Sequence, residues 1–180
     1  YAMEDPERRG SGYLDVVVFH RTTTVEDPLE NGGFEATGDD GIPAWTWWSR
    51  EGGGRAVSTT KAAHEGERAA RLIHDGDRDW AFYHGAHFTV TPGDELAVRG
   101  WVKSRSPGSV ALAAVGLREG RTVNWRLGEA AHGGPHDWRE YLAYFTIPPG
   151  TDAVYVRFTG SGETDVLVDR VSLNEESYDP

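Results

Sequence analysis

From residue 55 almost to the C-terminus, a turn signal interrupts this sequence roughly every ten residues, and that rhythm excludes most folds. The intervening segments are "RAVSTT" (55–60), "RAARLIH" (68–74), "WAFYHGAHFTV" (80–90), "ELAVRGWVKS" (95–104), "SVALAAVGL" (109–117), "TVNWRL" (122–127), "WREYLAYFTI" (138–147), "AVYVRFTG" (153–160) and "DVLVDRVSL" (165–173). They are rich in β-branched and aromatic residues, which fit a pleated surface. Between them stand "DGDRD", "TPGD", "RSPG", "REGR", "HGGPHD", "PPGTD" and "GSGETD", the Gly, Pro and Asp clusters that reverse a chain. Only "TTKAAHEGERAARLI" (59–73) competes as a helix, and Gly66 interrupts it, so strand–turn–strand is the better reading. The expectation is an all-β chain folded as a sandwich or a barrel.

The domain spans 26–176 on this reading, with a short tail at 177–180. Residues 1–25 combine a polar, Gly- and Pro-containing linker with an extra apolar strand, "YLDVVVFH" (13–20). That strand either closes a preceding module or adds an edge to this one. The chain opens at Tyr1 without an initiator Met, so it reads as a segment of a longer polypeptide with adjacent domains.

Charge and composition narrow the partners. A formal charge of −11 opposes nucleic acid, whose phosphates need clustered Lys and Arg. It also disfavours a polyanionic glycan relative to a neutral one, unless arginines gather locally. The absence of Cys removes disulfides, thiolate metal sites and cysteine nucleophiles. No run is long and apolar enough to insert in a membrane as a helix.

Strand alternation sorts the aromatics. In 95–104, Leu96, Val98, Gly100 and Val102 share a core face, whereas Arg99, Trp101 and Lys103 share the other. Trp45 and Trp138 read as structural. Trp47 and Trp48 are neighbours and point opposite ways, leaving Trp48 the more exposed. Trp125 shares its face with Val123 and Leu127, which tilts it toward packing.

The order of motifs, "ENGGFE", "PAWTWW", "HEGERAARL", "FTVTPGDELAVRGWVKS", "YLAYFTIPPGTDAVYVRF" and "VLVDRVSL", resembles the jelly-roll carbohydrate-binding modules of the galactose-binding-like group, the type appended to bacterial glycoside hydrolases and lyases. The likeness spans about residues 26–174. It implies an all-β, two-sheet antiparallel β-sandwich (jelly roll) and a noncatalytic module that binds a polysaccharide or oligosaccharide, in an extracellular, cell-surface or periplasmic setting. It further implies a structural calcium, with Glu35 and Asp169 as carboxylate ligands and the turn around Glu65 and Glu67 supplying the rest. One departure stands out: the second Asp of the closing strand is Arg170 here.

A sugar ring stacks its C–H face on an indole or phenol while neighbouring polar side chains fix its hydroxyls. The candidate ligand face is Trp101 and Tyr83, helped by Arg99, Arg126 and Asn124, with Trp48 or Trp80 at a rim. An alternative is a structural spacer or protein-interaction sandwich with every aromatic covered. A third reading, a small lyase or hydrolase, lacks support: His84 and His87 point to opposite faces, His132 and His136 have no evident third ligand, and no carboxylate pair stands out.

Overall fold

The computed structural model describes residues 28–176. The apolar run at 13–20 lies outside the described residues. Eleven strands form, and no helix occurs among the described residues. They are β1 (Trp45–Ser49), β2 (Arg55–Thr59), β3 (Ala69–His74), β4 (Asp79–His84), β5 (Phe88–Thr89), β6 (Glu95–Ser104), β7 (Ser109–Arg118), β8 (Arg121–Gly133), β9 (His136–Thr146), β10 (Ala153–Ser161) and β11 (Thr164–Glu175). All pairings are antiparallel. One sheet runs β1-β4-β10-β7-β8, with β5 also on β10; the other runs β2-β3-β11-β6-β9. This is the two-sheet sandwich expected.

Alternation builds the core. In the first sheet Trp47, Phe82, Phe158, Leu112 and Ala130 lie in register across five strands and face inward. In the second, Leu72 of β3, Val166 and Val168 of β11, and Val98 and Val102 of β6 also face inward. Each fully buried Leu, Val or Phe contributes roughly 1.5–3 kcal/mol. Gly100, on the core face of β6, sits where a Cβ would lie 3.0 Å from Leu112 Cδ2, so its missing side chain lets the two sheets approach.

Two irregularities shape the surface. A bulge in β11 between Asp169 and Ser172 places Arg170 at φ +48° and reverses the alternation. Val166 and Val168 point inward before it, Val171 and Leu173 after it. The second lies between β7 and β8, where Ala114 pairs with Gly128 but Gly116 pairs with Asn124. Residues 125–127 therefore bulge from the ladder, and the simple period of two fails there. Strand β8 also runs through to Gly133, so "HGGPHD" is a tight connection that crosses from the end of β8 in one sheet to the start of β9 in the other, rather than an extended loop.

Candidate functional site

The outward face of the first sheet carries a groove of about 520 Å³. Its floor is one register row: Trp48, Ala81, Thr159, Ala111 and Ala131, contributed by β1, β4, β10, β7 and β8 in turn. The three alanines and the threonine leave a trough, and Trp48 stands at one end with 45 % of its surface exposed. The next row holds Thr46, Tyr83, Arg157, Ala113 and Glu129. Trp125, thrown outward by the β8 bulge and 56 % exposed, carries the Arg157 guanidinium 4.7 Å from its ring centroid. Two indoles thus stand out from a sheet face whose middle is lined by small side chains.

Polar groups surround the trough. Arg157 Nη2 donates to the Trp125 carbonyl at 3.2 Å, while its Nε is buried without a partner. Burial pulls the Arg157 guanidinium below its ordinary pKa, against the neighbouring Tyr155 and Glu129. Arg126 Nε lies 3.4 Å from Glu129 Oε2. At the rim, Arg50 sits 5.8 Å from the Trp48 ring centroid and makes a two-pronged ion pair with Asp79. The guanidinium beside it holds the Asp79 carboxyl below the usual carboxylate range. Tyr83 continues the same face, edge-on to Tyr155 at 6.3 Å between ring centroids.

Not all of the residues singled out from sequence meet here. Trp48 and Arg126 line the groove, and Tyr83 adjoins it. Asn124 lies at the β8 bulge, where its Oδ1 accepts the Arg126 N–H at 3.0 Å. Trp80 is 1 % exposed; its ring points into the core, and its Nε1 donates to Thr164 Oγ1 at 2.8 Å. Trp101 and Arg99 belong to β6, on the other sheet, so they cannot share a face with Tyr83. The β2–β3 loop covers Trp101: the His64 ring stacks on it at 4.0 Å and Trp138 packs edge-on against His64. Arg99 pairs with Glu140 at 3.1 Å. Reading all seven as one ligand face is therefore corrected by topology, because strands β4 and β6 are assigned to different layers. Sequence reasoning missed Trp125, Arg157 and Glu129. The alternation Tyr155, Arg157, Thr159 within "AVYVRFTG" is the signal that could have placed Arg157 on an outer face.

The acidic residues considered for calcium do not form a fitting donor set. Asp169 is buried beneath the β2–β3 loop; its Oδ2 accepts the His64 and Glu65 N–H groups at 2.9 and 3.0 Å, and its Oδ1 accepts the Arg170 N–H at 2.7 Å. Glu35 Oε1 accepts from the backbone of Glu67 and Arg68 at 3.0 and 3.2 Å. Only glycine fits between them, since a Cβ on Gly66 (φ +70°) would lie 2.1 Å from that oxygen. Glu65 is ion-paired with Arg170. Hydrogen-bond donors and a guanidinium thus occupy the carboxylates that a calcium would need. Among the described residues no cluster of three or more His, Asp or Glu is placed to hold a metal. His132 and His136 do approach, with ring centroids 6.2 Å apart, but His136 Nε2 is engaged with the Tyr141 hydroxyl at 2.9 Å.

Comparison with known proteins follows the same lines. No curated protein matches the sequence. Among solved structures, the chain is similar to a galactotriose complex of the module TmCBM61, with 16 % identity, a TM-score of 0.61 and coverage of 84 % of this chain and all of that one. It is also similar to the CBM22-1 xylan-binding domain of Paenibacillus barcinonensis Xyn10C, with 14 % identity, a TM-score of 0.57 and coverage of 81 % and 92 %. A third likeness is to the enzymatically active domain of tailspike protein 4 of bacteriophage CBA120, with 14 % identity and a TM-score of 0.67. It covers 83 % of this chain, which spans only 21 % of the tailspike chain. At such identities these likenesses speak for the fold. The profile described as a carbohydrate binding domain matches residues 27–165, most of the sequence, and the chain belongs to that family.

Proposed function

We propose that the chain is a noncatalytic module of a larger exported protein and binds a polysaccharide or oligosaccharide in the groove across β1-β4-β10-β7-β8. The observation that carries this reading is the pair of exposed indoles on this face, Trp48 at the end of a floor of alanines and Thr159 and Trp125 under Arg157, which lines the same groove. A soluble domain gains nothing in stability by leaving these rings in water, whereas a sugar's C–H face covers them favourably. Arg126, Glu129 and Arg157 stand close enough to the floor to bond the hydroxyls of a stacked ring. A spacer without a glycan site would have these aromatics covered, and the exposure of both argues against it.

Isothermal titration and intrinsic fluorescence with xylan, glucan, galactan and mannan oligosaccharides test the proposal. Binding is expected to shift indole emission and to weaken about tenfold or more in Trp48→Ala and Trp125→Ala. Binding unaffected by both substitutions would move the site elsewhere, and silence across neutral and acidic glycans alike would leave the spacer reading.

A further inference from the structure

The charges in the groove do not balance, and the surplus has a definite place. Arg50 is matched by Asp79 and Arg126 by Glu129. Arg157 has no carboxylate within ion-pair distance among the described residues. It sits in the middle of β10, the central strand of the sheet, between Tyr83 on one side and Ala113 on the other. Its guanidinium is held against the Trp125 ring and tied to that residue's carbonyl, so it is positioned rather than free to swing into solvent. Its Nε is buried without a partner, so the hydrogen-bonding capacity of the guanidinium is not met within the sheet. A half-buried guanidinium gains more from a carboxylate than from a hydroxyl, because charge-assisted bonds are about twice as strong and the planar fork matches two oxygens.

We infer that the groove takes a glycan of mainly neutral sugars carrying isolated uronic-acid residues, one carboxylate seating on Arg157 while the adjoining neutral rings stack on Trp48 and Trp125. This rests on reading the groove as the glycan site and adds to it the chemical class of the ligand. The sparseness follows from charge: one cation is uncompensated in the groove, whereas the whole chain carries −11 and repels a continuous polyanion.

The test compares matched pairs by isothermal titration of the full chain: native and carboxyl-reduced glucuronoxylan, native and carboxyl-reduced gellan, with neutral xylan, glucan and polygalacturonate alongside. Native material of at least one pair is expected to bind about tenfold or more tightly than its reduced form. Arg157→Gln should abolish that preference, and Glu129→Gln, which removes a like charge beside the proposed carboxylate, should increase it. Melting temperatures of both variants verify that they fold. Equal affinity for native and reduced forms, or a preference that survives Arg157→Gln, would overturn the inference and leave glycan binding standing. Tightest binding to polygalacturonate would overturn the sparse-uronate assignment. Failure to bind any glycan, neutral or acidic, would overturn the site itself.

Discussion

Asp169 gives the sharpest test of how the second sheet is closed. The residue is fully buried, yet it holds the β2–β3 loop in place by accepting the N–H groups of His64 and Glu65, and so keeps His64 stacked on Trp101. Burial pushes its carboxyl up to about 6 from 3.8, outweighing the N–H bonds from Arg170 and His64; nearby Glu35 adds to the rise. The folded protein therefore binds this proton more tightly than the unfolded chain does. The associated stability is fully present below the unfolded value near 3.8 and is lost as pH rises through about 6. At about 1.4 kcal/mol per unit, ionisation costs about 3 kcal/mol at neutral pH, and lowering the pH from about 7.5 to about 4.5 recovers about 2 kcal/mol.

Asp169→Asn removes the titration while keeping the shape and one acceptor oxygen. The carboxyls of Asp79 and Asp165, held low by Arg50 and Arg71, work in the opposite sense: their stabilisation falls away with acid. They are present in both proteins, so the difference between the two pH profiles isolates Asp169. Urea unfolding followed by circular dichroism and tryptophan emission, at about pH 4.5 and 7.5, supplies the four free energies. The wild type should gain about 2 kcal/mol relative to the variant on acidification. Parallel profiles would refute the argument, because they would mean that the buried carboxyl is not penalised for its charge.

Three further outcomes follow from particular contacts. Gly160→Ala would place a Cβ 2.5 Å from Trp80 Cζ2, a ring fixed in the core by its bond to Thr164 and its stack on Trp47, so a loss of about 1–3 kcal/mol in urea unfolding is expected. Exhaustive chelation should leave the melting temperature unchanged, since N–H donors and Arg170 already engage Asp169, Glu35 and Glu65; a marked fall would show that these oxygens serve a metal instead. Arg170 sits at φ +48° in an exposed ion pair, so Arg170→Gly, which relieves the backbone, should be about 1 kcal/mol more stable than Arg170→Ala, which loses the pair and keeps the strain.

The fold was legible because its determinants are local. Turn residues at short intervals set the strand ends, and a period of two assigned Leu96, Val98 and Val102 to the core and Trp48 to the surface correctly. The site was less legible because it is assembled across strands from distant parts of the chain. Whether Trp101 is a platform or a packed ring depends on the β2–β3 loop laid over it, and alternation along β6 carries no information about that cover. Trp125 failed for a different reason: the β8 bulge breaks the periodicity on which its assignment to the packed face relied. Arg157 reads as an ordinary strand cation until register places it opposite Tyr83 and Ala113, over Trp125, with its Nε unmatched. The groove thus depends on side chains whose meaning is set by pairing partners, so variation at outward positions of β1, β8 and β10 can change the ligand while the alternating inner rows keep the same sandwich.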